Sequence, residues 1–542
     1  MGKKSFLSGA AILGAAGLLV QVMGAIFRIP LANIIGEIGM GYFQTAYPVY
    51  IFLLVFSTNG APAAISKMTS ERIAVGRHDE AQRVFRLSFI VMLVFGAAAS
   101  ASVALLARQI SVAVKSEGSY YSLLAIAPAL LFVPIMSVFR GYFQGMQEMR
   151  PTALSQLVEQ AVRVVAGLSL AAVLIGSSQE AASAGACMGA SIGPVAGVVM
   201  LAAIYFRKKQ EIHEKIGTAV SRRREARRHK GQREGTGTLL MTLAALTIPT
   251  TVGISILPIM NVVDMAICRV RLIGSGFGAE EAEGLYGLMS GFAAPIINIP
   301  MALALSIALS MIPAIAAAGS TDDKQFLNEN VSMGLRTAMI VGTPCSFGLI
   351  VLAEPIMRLI YPAFREEAGG AASCLMILAA GVIFLCVAQT MAGILQGLGR
   401  PSLPVLALLA GLVAKTALTY WLTGIHALNI NGATIGSTAG YAVICFTNVM
   451  FVKRVTGVRI DVGLHIFKPL ISGIVMSLAV VAVYFAGNML LSWNVSALPA
   501  ICVGALVYVM MILKIKAILP HEIERLPKGK KLLSLLKRLH LA

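Results

Sequence analysis

The chain has 542 residues, 57% of them hydrophobic and 13% charged, with a mean hydropathy of +0.81 and a formal net charge of +19. This excludes an ordinary soluble domain, whose surface must stay polar. The alternating ten-residue pattern of an outer-membrane β-barrel is absent, whereas apolar blocks of about 20 residues, enough to cross a hydrocarbon layer of about 30 Å, recur from end to end. The expected fold class is an all-α polytopic membrane protein.

In chain order, MGKKSFLSGAAILGAAGLLV has the basic start and apolar run of a signal peptide. The run is long and no small-residue cleavage site follows, so it reads as a retained first span. Phe6 stands where N-myristoylation needs Ser or Thr. That span covers 8–32 and holds Arg28, and the next, 46–66, ends at Lys67. Spans at 85–107, 120–139 (followed by Arg140), 152–175 (with Glu159 and Arg163) and 184–206 complete a first set of six. The stretch 207–237, RKKQEIHEKIGTAVSRRREARRHKGQREGTG, reads as a solvated basic linker near anionic headgroups. Eight spans follow, at 239–262, 284–311, 333–353, 372–394, 402–423 (with Lys415), 432–452, 469–488 and 496–515. Fourteen spans place both termini on one side.

Lys and Arg decide which side. With the N-terminus inside, 35 of the 44 basic residues fall in cytoplasmic segments and six in outer ones, which puts both termini in the cytoplasm. Topology therefore accounts for most of the positive charge, and no nucleic-acid partner is implied. The seven cysteines are scattered, without a CxxC, and read as small apolar fillers. The histidines lie outside the span centres, and no metal or cofactor site is expected.

Three matches at a nearly constant offset relate the two sides of the linker. APAAIS (61–66) resembles IPAIAA (312–317), FQGMQEMRP (143–151) resembles LQGLGRP (395–401), and Arg163 then pairs with Lys415. The expected architecture is two pseudo-symmetric six-helix lobes facing a central cavity, related by an axis along the membrane normal, plus two C-terminal helices. The expected domains are an N-lobe at 1–206, the linker at 207–237, a C-lobe at 238–455, and the last two spans with a basic tail at 456–542.

Three cations, Arg28, Arg163 and Lys415, fall inside spans. A charge at a helix centre costs about 2.5–3.5 kcal/mol on insertion scales, so such residues face a cavity or a partner. Glu159 precedes Arg163 by one turn on the same face, as an ion pair or as the group that orients a cavity arginine. More cations than anions in a low dielectric call for an anionic partner, and a guanidinium fits phosphate, sulfate or carboxylate. Asp264, in NVVDMAICRVR (261–271), reads either as a gate or coupling-ion group or as part of an interfacial charge cluster. Lys67 and Arg140, at inner span ends, are poised for cargo or explained by topology alone. No Walker A loop, HExxH or GxSxG occurs, so no enzyme is expected, and work must come from ion gradients, the membrane potential or the cargo gradient.

At PIMSVFRGYFQGMQEMRPTALSQLVEQAVRVV (134–165) the sequence resembles the polysaccharide-export branch of the MOP flippase superfamily, nearest the stage V sporulation protein B and MurJ-type lipid II flippases. GAIFRIPLANIIGEIGMGYFQTAYPVY (24–50) and TNGAPAAISKMTSERIAVG (58–76) fit the same pattern, and the likeness spans the chain, less sharply in the second lobe. The resemblance implies a fourteen-helix inner-membrane flippase moving an undecaprenyl-diphosphate-linked cell-wall precursor, lipid II, to the outer leaflet. It further implies that Arg28 is the first-span cavity arginine, that Arg163 with Glu159 is the fifth-span motif, and that 469–488 and 496–515 form a groove for the lipid tail. The arginine-rich linker departs from the family pattern. The alternatives are an exporter of another lipid-linked glycan, a cation-coupled multidrug exporter, and a scaffold for cell-wall synthases, which are also candidate partners beside the membrane lipids.

Overall fold

The computed structural model describes residues 3–226, 235–320, 324–458, 461–490 and 493–517. The middle of the basic linker, 227–234, and the basic tail, 518–542, lie outside the described residues. Every regular element among those described is helical. Lipid offers no water to pair with backbone N–H and C=O groups, and a helix pairs them within its own segment. Eleven of these helices are long and apolar enough to cross a membrane, or up to twelve when a bent pair is taken as one span. The chain is a multi-pass helical membrane protein.

By packing, the chain falls into two units, Met1–Val270 with Gly278–Gly287, and Arg271–Phe277 with Leu288–Ala542. The first contains α1 (Lys3–Val55), α2 (Ala61–Ala74), α3 (His78–Ala113), α4 (Tyr120–Ile126), α5 (Ala129–Gly145), α6 (Met149–Leu174), α7 (Gln179–Ala226), α8 (Thr236–Gly274, as far as Val270) and α9 (Ala279–Gly287). The sequence reading opens the second lobe with the helix at 239–262. By packing, α8 goes with the first unit.

Helix α1 is two helices. Gly36 has φ 70° and ψ −173°, which breaks the helix where only glycine turns without strain. The Phe27 and Phe43 rings lie 6.3 Å apart, whereas sixteen residues of straight helix would separate them by about 24 Å. The chain therefore doubles back at Gly36. The loop expected between 32 and 46 is absent, because apart from its glycines ANIIGEIGMGYFQTA contains nothing that stops a helix, and both arms run up to the break. The second arm passes through a π-helical turn, Phe56–Gly60, into α2.

Two packing devices hold this unit. Phe85 on α3 meets Phe139 and Tyr142 on α5 and Tyr205 on α7 at centroid distances of 5.3, 4.8 and 4.9 Å. Helix α7 also carries Gly185, Gly189, Gly193 and Gly197, one per turn; the first three face the backbone of α6, and Gly197 faces the Met136 side chain on α5. A Cβ at Gly189 would stand 2.5 Å from Gly167 Cα, and one at Gly193 would stand 2.7 Å from the Glu159 carbonyl oxygen. Small residues bring membrane helices this close, where dispersion replaces the missing hydrophobic drive.

The second unit contains α10 (Ala294–Ser320), α11 (Lys324–Val351), α12 (Ala353–Ile360), α13 (Ala368–Ala380), α14 (Val382–Gly397), α15 (Ser402–Thr423), α16 (Asn431–Thr456), α17 (Lys468–Leu490) and α18 (Trp493–Lys514). Helices α13 and α14 form the bent pair, at 40°. Helix α16 repeats the device of α7, with Gly432, Gly436 and Gly440 pressed on α15. Met476 and Val480 of α17 and Ala500, Tyr508 and Ile512 of α18 share one core with Leu352.

Candidate functional site

The first unit concentrates polar chemistry where α5 and α6 face the second arm of α1. Helix α5 ends at Gly145, and the turn reverses through Gln147 at φ 61°. Pro151 sits in the first turn of α6, where its missing N–H costs nothing. This hairpin sets Arg140 against the face of α6 that carries Ser155, Glu159 and Arg163. Arg140 donates from Nε to Ser155 Oγ at 2.9 Å and from Nη2 to Glu159 Oε2 at 2.9 Å. Arg163 Nη2 donates to Glu159 Oε1 at 2.8 Å and to Tyr50 Oη at 3.1 Å. One carboxylate thus bridges two guanidinium groups by charge-assisted bonds. The three side chains, Arg140, Glu159 and Arg163, are 12%, 13% and 15% exposed.

The bridge leaves donors unused. Arg163 Nε is buried without a hydrogen-bond partner, a state that costs free energy until an acceptor arrives. Arg28 is half-buried on the first arm of α1 and makes no hydrogen bond or ion pair with a described residue. Its guanidinium carbon lies 5.2 Å from the centre of the Tyr47 ring, on the second arm. Arg163 lies 6.0 Å from the Tyr50 ring, one turn further along. Three guanidinium groups against one carboxylate leave this neighbourhood net positive, with N–H donors free for an anion.

The other expected site residues are placed elsewhere. Lys67 is exposed and 3.9 Å from Glu71, a surface pair worth little. Lys415, on α15 in the second unit, is 3% exposed, and a Cβ at Gly440 would stand 2.9 Å from its Cβ. Asp264 is buried in α8. The two arginines beyond it part company. Arg271 donates to the Tyr420 carbonyl at 2.9 Å and lies over that ring, in the second unit. Arg269 is fully buried in the first unit, where it donates to Glu283 Oε1 at 2.9 Å and to the Val114 carbonyl at 3.2 Å, and lies 4.4 Å over the Tyr286 ring. No group of three His, Cys, Asp or Glu suited to a metal occurs among the described residues.

Sequence reasoning missed Tyr47, Tyr50, Ser155 and the Arg269–Glu283 pair. The two tyrosines stand in TAYPVY with i, i+3 spacing, but their relation to Arg28 exists only because α1 folds back. The glycine stripe on α7 was legible as four glycines at four-residue spacing.

Fold and cluster together define a polytopic helical membrane protein with a cationic site within its helices. The chain belongs to the polysaccharide biosynthesis protein family, whose profile matches residues 6–319, and a MatE profile matches 290–421. This is the polysaccharide-export and flippase group of the MOP superfamily that the sequence resembles. Stage V sporulation protein B of Bacillus subtilis is 26% identical over 535 residues, covering 97% of this chain and 98% of the relative. Lipid II flippase MurJ of the same organism is 26% identical over 501 residues, covering 90% and 88%. The solved inward closed conformation of a lipid II flippase MurJ superposes with a TM-score of 0.68 at 16% identity, covering 92% of this chain and 98% of that one. At that identity the likeness shows the fold.

Proposed function

We propose that this protein is a flippase that carries a polyprenyl-diphosphate-linked cell-wall precursor, lipid II in the first instance, from the inner to the outer leaflet. The observation that carries the reading is the pair Arg28 and Arg163, set within the spans on the Tyr47 ring and the Tyr50 hydroxyl with N–H donors unspent. A diphosphate offers several acceptor oxygens and about two negative charges. Arg28, Arg140 and Arg163 bind them, Glu159 orients the arginines and limits over-tight binding, and the polyprenyl tail stays in lipid. An inside-negative potential favours outward movement of that charge by about 2.3 kcal/mol per charge per 100 mV.

The same reading takes the fold as fourteen spans with both termini cytoplasmic, in two six-helix lobes that alternate access, with α17 and α18 as the tail groove. Lys415 is the second lobe's counterpart of Arg163, Lys67 meets headgroups or cargo at the inner face, and Asp264 serves as a gate or coupling group. Support comes from the relatives named lipid II flippase and stage V sporulation protein B, and from the excess of cations, which disfavours a cationic drug. The family description, polysaccharide biosynthesis, keeps a second reading open, in which the cargo is another lipid-linked glycan.

Complementation tests both. The chain is expressed in a bacterium depleted of its lipid II flippase, and lipid II exposure on the outer leaflet is followed. Rescue that Arg28→Ala and Arg163→Ala each abolish supports the lipid II reading. Good membrane expression without rescue moves the cargo to another lipid-linked glycan.

A further inference from the structure

We infer that Tyr47 is the positioning residue for Arg28, holding its guanidinium for the anionic headgroup through the face of its ring. The inference rests on the anion-site reading above and goes beyond it by assigning a residue that contacts no cargo charge itself. Arg163 is held two ways, by Glu159 and by the Tyr50 hydroxyl. Arg28 has one restraint among the described residues, the Tyr47 ring at 5.2 Å. That distance lies within the roughly 6 Å at which a ring face attracts a cation.

The ring itself is fixed. Phe43 stacks on it at 5.3 Å and 21°, and Phe27, next to Arg28 in the chain, packs on Phe43 at 6.3 Å. Tyr47 is half-buried, and its hydroxyl bonds no described residue, so the ring and not the hydroxyl does the holding. A long arginine side chain loses rotamer freedom when it binds, and a platform that orders it beforehand lowers that cost. Tyr47 and Tyr50, whose rings are 5.9 Å apart, thus restrain two arginines that arrive from different helices, Tyr47 through its ring and Tyr50 through its hydroxyl.

The test measures binding of farnesyl diphosphate to the full chain in detergent, with folding followed by thermal unfolding and monodispersity. Tyr47→Leu is expected to weaken binding about five- to tenfold, to the level of Arg28→Ala, and the double variant to be no weaker than Arg28→Ala. Tyr47→Phe retains binding within about twofold, since the ring face remains. If Tyr47→Leu does not fold, phenylalanines carrying one to three ring fluorines at position 47 serve instead. Volume hardly changes along that series, so binding that falls with each fluorine marks the ring's charge distribution as the cause, which a packing role would not produce. A normal Tyr47→Leu beside a weakened Arg28→Ala, additive losses in the double variant, or a flat fluorine series each overturns the inference and leaves the anion site standing. An Arg28→Ala chain that binds normally removes Arg28 from the anion site, and this inference with it.

Discussion

Replacing Glu159 with Gln keeps the shape of the bridge and removes its charge. Arg140 and Arg163 now each bond to it at 2.9 and 2.8 Å, and hydrogen bonds to charged groups contribute about 1.5–3 kcal/mol each. Glutamine retains one acceptor oxygen, so one bond survives in weaker form and the other guanidinium meets an NH2 group. Breaking a buried pair costs about 3–5 kcal/mol, but 12–15% exposure screens these charges and lowers the figure. We expect Glu159→Gln to lose about 2 kcal/mol of stability, read as a lower unfolding midpoint in detergent. An anionic ligand then takes the carboxylate's place. If binding of farnesyl diphosphate tightens about tenfold, the stabilisation it confers at high concentration exceeds that of the parent by about 1.4 kcal/mol. The variant would thus be weaker empty and relatively stronger loaded. Unchanged stability, or a ligand-induced shift no larger than the parent's, would refute the idea that Glu159 stands in for an anion.

Three further outcomes are expected. Gly193→Leu forces a side chain to within 2.7 Å of the α6 backbone at Glu159, so α6 and α7 must part. Folded yield in the membrane should fall sharply, whereas Gly17→Leu, with nothing within 4 Å of its Cβ, should leave it intact. Glu283→Ala strands Arg269 as an unpaired buried cation, at a cost of about 3–5 kcal/mol by thermal unfolding, and the double variant Arg269→Met with Glu283→Ala should recover most of that loss. Gly36→Ala places a Cβ at φ 70° and ψ −173°, which costs about 1–3 kcal/mol. Thermal unfolding in detergent reads the loss.

Part of this protein is legible in its sequence. Apolar length identifies a multi-pass helical membrane protein, because the bilayer sets a fixed minimum. Eleven or up to twelve of the described helices are long and apolar enough to cross where fourteen spans were expected. The fifth-span pair Glu159 and Arg163 stands out by charge in an oily helix. What could not be read was tertiary. Arg140 reads in the sequence as a cargo residue or as a topology residue, and its bond to Glu159 exists only through the α5–α6 hairpin. By its place in the chain Arg269 reads as one of the six outer-segment basic residues, yet it is among the most deeply buried large side chains, because Glu283 fourteen residues on and the Val114 carbonyl close round it. The break at Gly36 depended on which of several glycines took the left-handed conformation, and the sequence does not rank them.

That break also sets an order of events during synthesis. The first arm of α1 leaves the ribosome carrying Arg28 before the arm that holds Tyr47 exists, nineteen residues later. A lone arginine entering the hydrocarbon layer is opposed by about 2.5–3.5 kcal/mol, and its aromatic cover is not yet made. The insertion machinery therefore has reason to retain the first arm until the second arrives, releasing the two into lipid as a closed hairpin.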